Sequence, residues 1–299
     1  WFEGAYGVAG VPWRRQQFDP AGVLRGWPSP PAPDGAALER LPYLVPGLAA
    51  GDLGGLTAIR SDWVIDGVGP SPRYHQIWFD TERATMVRVE TVLHSSATAP
   101  EASRTPVDID GWDAAFLSDT VDPVVNVHLS LPAATVTVQG VGLSEHEVIE
   151  VARSLGARAP DRAGWQVGLP GSAWVSFGEG WDSDRAARGL AWRRDDGTLV
   201  GQLEFGYGSV DRALTDQHWA DTRTFTEVDG AFAVVTDTRG RIAVTWQPAP
   251  DVTALFGWIG PADEALAIAR SLRRVDRATW EAYAEPDPMT DDGCNSLFC

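Results

Sequence analysis

One block of sequence occurs twice in this chain. Residues 125–155 align with residues 242–272 at a constant offset and without a gap. Both copies close on Ala-Arg-Ser-Leu, at 152–155 and 269–272. Both then reach Asp-Arg-Ala-x-Trp, at 161–165 and 276–280. Upstream, residues 78–90 lie over 192–204, and 107–111 over 226–230. Blocks kept in one order imply a duplicated domain, so the two halves are expected to build the same unit. Each unit spans roughly 110 residues, an ordinary domain length. That is too long for a solenoid repeat of about 20–50 residues.

The apolar pattern fills in the unit. Segments 56–65, 74–79, 85–93, 112–117, 124–130 and 135–141 are short and rich in β-branched and aromatic residues, which predicts strands. The second copy predicts strands over 173–177, 189–193, 199–205, 231–236, 242–247 and 253–258. Ile242, Val244 and Trp246 alternate, so one face of that strand is buried. A helix follows each set. Ser144 and Glu147 form a capping box at the first. At the second, Pro261 suits the first helical position, with Asp263 and Glu264 in the first turn. Val148, Val151, Ala152 and Leu155 make one apolar stripe; Ala265, Ile268, Ala269 and Leu272 make its counterpart. The expected fold is α+β: two tandem homologous units, each a curved antiparallel sheet covered by its C-terminal helix. The expected divisions are an irregular, Pro-rich arm (1–55), the first unit (56–167), the second unit (168–284) and a polar tail (285–299). The arm reads as a linker or as a strap packed on the first unit. A single helical turn is expected near 36–41.

Charge excludes some partners. The net charge is −17, with 41 acidic against 24 basic residues, the wrong sign for phosphate neutralisation. Nucleic acid and anionic membrane surfaces are therefore not expected. Every basic residue other than histidine is arginine. With much Ala, Gly, Val and Asp, this composition goes with a GC-rich, actinobacterial genome. No apolar run approaches the ~18–20 residues of a membrane helix. The chain starts at Trp1, and a signal or membrane anchor before it is an expectation.

No catalytic motif is present. His146-Glu147-x-x-Glu150 lacks the second histidine of a zinc helix. Gly-x-Ser-x-Gly is absent, Gly206-Tyr-Gly-Ser209 is not followed by the Gly-Lys-Ser/Thr of a phosphate loop, and residues 108–113 do not match a calcium loop. Asp182 and Asp184 could pair for glycoside chemistry, but an acidic chain offers many such pairs. No metal and no cofactor is expected. Cys294 and Cys299 suit a small terminal disulfide loop in an oxidising compartment; two free thiols on a frayed tail are the alternative.

The 14 tryptophans are the remaining signal. Trp78 recurs as Trp192, Trp165 as Trp280 and, roughly, Trp63 as Trp174, which reads as framework. Trp112, Trp181, Trp219, Trp246 and Trp258 have no tryptophan partner in the other copy. Those five are the candidate ligand-binding residues, because an exposed indole stacks on sugars, lipid chains or peptides; packing in the core is the competing assignment.

The stretch Ile242-Ala-Val-Thr-Trp246, Gly257 and Glu264-Ala-Leu-Ala-Ile-Ala-Arg-Ser-Leu272 resembles the closing strands and helix of extracytoplasmic domains on actinobacterial membrane-anchored, anti-sigma-like proteins. Those domains are similar to the lipoprotein-carrier type of fold. The resemblance covers about 30 residues per unit, no more than a small part of one domain. It implies a sensory or binding domain outside the membrane, without catalytic residues. The expected function is a non-enzymatic, extracytoplasmic binding or sensory domain for a lipid, peptide or protein partner. The alternatives are an acidic intracellular protein neutralising a basic partner, as an immunity protein does, and a carbohydrate-binding or -processing protein. Function is expected where the copies differ: at Trp112, at His128 against Thr245, at Leu129 against Trp246, at Val141 against Trp258, and in the arm.

Overall fold

The structure, a computed structural model, describes residues 19–29, 37–48, 53, 55–65, 72–93, 105–117, 123–158, 162–181, 185–207, 220–249 and 252–286. The chain opens with helices α1 (Pro20–Arg25) and α2 (Ala37–Arg40) and strand β1 (Tyr43–Val45). The first copy holds β2 (Thr57–Ile65), β3 (Arg73–Asp80), β4 (Thr85–Leu93), β5 (Thr105–Pro106), β6 (Ala114–Leu117), β7 (Val124–Leu131) and β8 (Ala134–Val141). Helix α3 (Glu145–Arg153) and the short strands β9 (Gly156–Ala157) and β10 (Trp165–Gln166) follow. The second copy holds β11 (Trp174–Trp181), β12 (Arg185–Arg193), β13 (Leu199–Tyr207), β14 (Thr222–Val228), β15 (Ala231–Thr238), β16 (Arg241–Ala249) and β17 (Val252–Ile259). It ends in α4 (Ala262–Arg270), β18 (Arg273–Val275), α5 (Arg277–Tyr283) and β19 (Glu285–Pro286).

The strands form two large sheets, ordered β11-β3-β4-β8-β7-β6-β5 and β14-β15-β16-β17-β13-β12-β2-β19. The copies exchange their first strands. β2 precedes β3 in sequence yet pairs with β12, Thr57 opposite Arg193 through Ile65 opposite Arg185. β11 precedes β12 yet pairs with β3, Trp174 opposite Asp80 through Trp181 opposite Tyr74. Each sheet is completed by a strand from the other copy.

This topology corrects the expected fold class. The chain is mostly β rather than α+β, and its units are not tandem self-contained sheets each under a C-terminal helix. The helices are short. α3 and α4 have nine residues each, about 13 Å at 1.5 Å per residue. Each meets only part of a much wider sheet, β7 and β8 for α3, β14, β16 and β17 for α4. α4 is followed by β18, α5 and β19. The error has a physical cause. Periodicity reports which face of a segment is buried, but not which of two homologous edges the segment joins.

Local chemistry explains the elements. Ser144 caps α3, its hydroxyl accepting from the Glu147 N–H while the Glu147 carboxylate accepts from the Ser144 N–H at 2.9 Å. Pro261 stands at the N-cap of α4, one position before the first helical residue, and supplies no side-chain bond. The hairpins β14–β15 and β15–β16 turn through Asp229-Gly230 and Arg239-Gly240, all at positive φ, the backbone of a type I′ turn.

Three apolar clusters hold the layers. Val148, Val151, Ala152 and Leu155 pack with Val127 and Val138 under α3. Ile268 and Ala269 pack with Val244 and Phe256 under α4. A third cluster lies between the sheets, where Ile77, Phe79 and Met86 meet Phe177 and Val234. Phe79 lies 5.5 Å from Phe225 there. Arg223 of β14 donates to the Ala84 carbonyl beside it at 2.9 Å.

The ungapped repeat conceals a compensated shift. β16 carries a bulge between Trp246 and Ala249, which moves β17 by one residue against β8. Gly140 therefore stands opposite Val87 and Val125, whereas Trp258 stands opposite Gly201 and Ile242. The structural counterpart of Trp258 is Gly140, not Val141. A loop one residue shorter before α4 restores the register at the helix.

Candidate functional site

The site lies on the α3-bearing face of the first sheet, at its β11 end. Trp165 in β10 is the buried centre of its aromatic cluster. The Trp165 N–H donates to Gln76 Oε1 at 2.6 Å, and Gln76 Nε2 donates back to the Trp165 carbonyl at 3.1 Å. The indole N–H donates to Thr91 Oγ1 at 2.9 Å. Trp165, Gln76 and Thr91 are all buried, so these bonds meet the rule that buried polar groups are paired. The centre is rigid.

The N-terminal arm supplies one wall. Asp19 caps α1 by accepting from the Gly22 N–H at 2.9 Å, and Pro20 takes the first helical turn, where a missing N–H costs nothing. The helix stops as the Gly26 N–H bonds Val23 O and the Trp27 N–H bonds Leu24 O. That turn lays Trp27 on the aromatic cluster, 5.3 Å from Trp165, 5.5 Å from Tyr74 and 6.1 Å from Trp181. Tyr74 and Trp181 are themselves 5.2 Å apart, edge to face. Trp112 extends the row, 5.5 Å from Trp165. Such offset and edge-on rings attract through their quadrupoles.

Between α1 and β9 opens a cleft of about 350 Å³, lined by Asp19, Val23, Trp27, Ala157, Arg158 and Arg162. Volumes of ~300–1,000 Å³ are those of ligand sites. Its walls are chiefly apolar and its rim is charged. Arg25 pairs with Asp19 at 3.3 Å, and Arg158 pairs with Glu179 at 2.6 Å. Arg162 has no ion-pair partner among the described residues. The buried indole N–H of Trp27 has no hydrogen-bond acceptor among the described residues. Burial pushes the Tyr74 phenol up to about 12, with the Glu179 carboxylate adding and Arg158 and Arg162 opposing. The phenol is therefore neutral throughout the physiological range. Nothing in the cleft combines a nucleophile with a base, and no group of three potential metal ligands occurs among the described residues.

The second copy covers the equivalent place. With Trp78 over Trp192, Tyr74 corresponds to Arg188, and Trp181 opposite Tyr74 corresponds to Asp62 opposite Arg188. Arg188 bonds Asp62 at 3.1 Å, the Leu41 carbonyl at 2.6 Å and the Tyr43 hydroxyl at 3.1 Å. Its guanidinium lies 3.7 Å from the centre of the Tyr43 ring. Residues 41–45 thus cover over the second sheet the place that Trp27 covers over the first. The arm straps both sheets, and β1 pairs with β18.

The tryptophans singled out by sequence separate accordingly. Trp181 and Trp112 belong to the aromatic row. Trp246 and Trp258 are 2% and 6% exposed and sit in the core beneath α4. Trp219, Cys294 and Cys299 lie outside the described residues. Trp27, Tyr74, Trp165, Arg158 and Arg162 were missed. Sequence places Trp165 in the framework, since it recurs as Trp280, and leaves Trp27 within the Pro-rich arm. Arg162 recurs as Arg277 in the shared Asp-Arg-Ala-x-Trp closure, so comparing the copies does not single it out.

No family model matches this chain, and no curated protein matches it. Among solved structures it is similar to the immunity protein TplEi of T6SS from Pseudomonas aeruginosa, complexed with "L" peptide. The identity is 13%, the match covers 74% of this chain and 98% of that one, and the TM-score is 0.20. A likeness of that degree carries no argument about this protein. Among the described residues no helix is long and apolar enough to cross a membrane.

Proposed function

We propose that this protein is a non-enzymatic binding protein that accepts a peptide segment of a partner in the cleft beneath Trp27. One observation carries the reading: a cleft of about 350 Å³ opens between α1 and β9, with the Trp27 indole, Val23 and Ala157 on its walls and Arg158 and Arg162 beside them. The chemistry suits a peptide. Rigid indoles give large contact area at low entropic cost, and a charged rim orients a chain with alternating apolar and polar side chains.

The test uses the full chain. Random linear peptides displayed on phage are selected on the immobilised protein, and the enriched peptide is measured by calorimetry. Trp27→Ala and Trp181→Ala are expected to weaken binding by at least about tenfold, as removal of an aromatic anchor does, while the cooperative thermal transition persists. If no peptide is enriched, or an enriched peptide binds both variants unchanged, the reading is wrong.

A further inference from the structure

Among the described residues the two sheets end in β5, β11, β14 and β19. Folded proteins guard such edges with shortness, proline, charge or cover. β5 and β19 are two residues long and each contains a proline, Pro106 and Pro286. β14 is engaged from α4: Arg270 donates to the Glu227 carbonyl at 3.2 Å and to Thr226 Oγ1 at 3.0 Å. β11 is neither short nor proline-bearing, and its one irregularity is a bulge at Ser176/Gly178. It runs for eight residues, Trp-Val-Ser-Phe-Gly-Glu-Gly-Trp, and its single charge, Glu179, is paired with Arg158.

The phase of its ladder can be read. The Thr81 N–H donates to the Ala173 carbonyl at 3.2 Å. Antiparallel pairs alternate between bonded and non-bonded. Val175 therefore directs its backbone groups to β3, while those of Trp174 and Ser176 point away from the sheet. No hydrogen bond reaches those outward groups among the described residues, and Ser176 is exposed. Beyond the bulge at Ser176/Gly178, Glu179 and Trp181 stand opposite Gln76 and Tyr74, on the face that carries the cleft.

We infer that β11 is a docking edge, on which an extended acidic segment of a partner adds as a further strand of the first sheet. This rests on the peptide-binding reading of the cleft and specifies its geometry. A strand laid beside β11 presents every second side chain to the cleft face, next to Trp181 and Glu179. The cations there are unevenly matched: Arg25 and Arg158 have partners and Arg162 has none among the described residues, so a carboxylate on the added strand supplies the missing charge. Backbone pairing gives affinity and the alternate side chains give selectivity, as in other strand additions.

The experiment uses the full chain and the peptide enriched by display. A series of synthetic copies carries one N-methyl group each, stepped along the peptide. Strand addition predicts a period of two: methylation of amides facing β11 weakens binding about tenfold, the scale of a lost hydrogen bond with its steric clash, and methylation of the intervening amides has little effect. Ser176→Pro, which removes an outward N–H, lowers affinity similarly. Arg162→Glu lowers affinity for acidic peptides and not for their amide analogues. Because a proline can disturb the strand itself, the methyl series on the unaltered protein decides. Sensitivity to Trp27→Ala without any two-residue period overturns the docking edge and leaves the cleft reading intact. Failure of every displayed peptide to bind overturns both.

Discussion

Gly140→Ala tests how α3 sits on the first sheet. Gly140 lies in β8 directly beneath the helix. A Cβ there would stand 2.4 Å from Val148 Cγ2 and 3.2 Å from Leu143 Cβ and Cδ1. Carbon atoms prefer about 3.5–4.0 Å, so Val148 must move by more than an ångström. Val148 is fully buried, and a helical valine has one strongly preferred χ1. Leaving that rotamer costs roughly 0.5–1.5 kcal/mol; lifting the helix instead opens its contacts with Val127 and Val138. Overpacking of this kind costs about 1–3 kcal/mol. Loss of glycine freedom in the unfolded chain returns about 0.4–1 kcal/mol. The expected net loss is about 1–2 kcal/mol, read as a lower urea midpoint with an unchanged slope. Val148→Ala removes the clashing methyls, so the double variant should be less destabilised than the sum of the singles by about 1 kcal/mol or more. A neutral Gly140→Ala, or strict additivity with Val148→Ala, would refute the direct contact between Gly140 and Val148.

Other outcomes follow from the same contacts. Glu147 bonds Arg83 and the Ser144 N–H, which together hold its carboxyl at about 2 against an ordinary 4.5. A depressed folded value stabilises above the unfolded one, so the advantage over Glu147→Gln should be full above pH 4.5 and vanish as pH falls towards 2; the side chain is a quarter exposed, which limits it to about 1 kcal/mol. A gap that persists at pH 2 in acid titrations of both proteins would contradict this. Ala84 sits at φ 54°, a conformation costing a non-glycine residue roughly 1–2 kcal/mol, so Ala84→Gly should raise stability by several tenths of a kcal/mol after the entropy of glycine is subtracted. Arg188→Met should cost about 1–3 kcal/mol by orphaning the Leu41 carbonyl and the Tyr43 hydroxyl, and should speed amide exchange in residues 41–45 before other regions. A protease site inserted between Gly168 and Gly171, once cut, should leave the halves together on a sizing column in native buffer, because β2 and β11 remain in each other's sheets; separation without denaturant would refute the exchange.

Much of the local structure was legible in the sequence. The strand over Thr85–Leu93 matches its expected bounds, as do the capping box at Ser144 and the buried stripe of α3. β14 and α5 were not anticipated, because Thr222–Val228 is polar and Arg277–Tyr283 is too short for a full amphipathic period. The site was less legible than the elements. Trp112 and Trp181 were singled out, but Trp246 and Trp258 came to rest in the core, and the rings that assemble the cleft come from distant parts of the chain.

Turn chemistry, capping and alternation act between residues a few positions apart, and the sequence by itself determined those: the hairpins, the two buried helix stripes and the duplication that repeats them. Pairing between distant strands was decided only in three dimensions. Homologous copies present near-equivalent edges, so β2 and β11 could each complete either sheet, and no local signal separates the choices. A one-residue bulge in β16 and a loop shortened by one residue cancel in the alignment, so sequence spacing alone could not reveal the shift that puts Trp258 where the first copy has Gly140. The open cleft is decided at the same level, since its two walls, α1 with Trp27 and β9 with Arg158, come from distant parts of the chain.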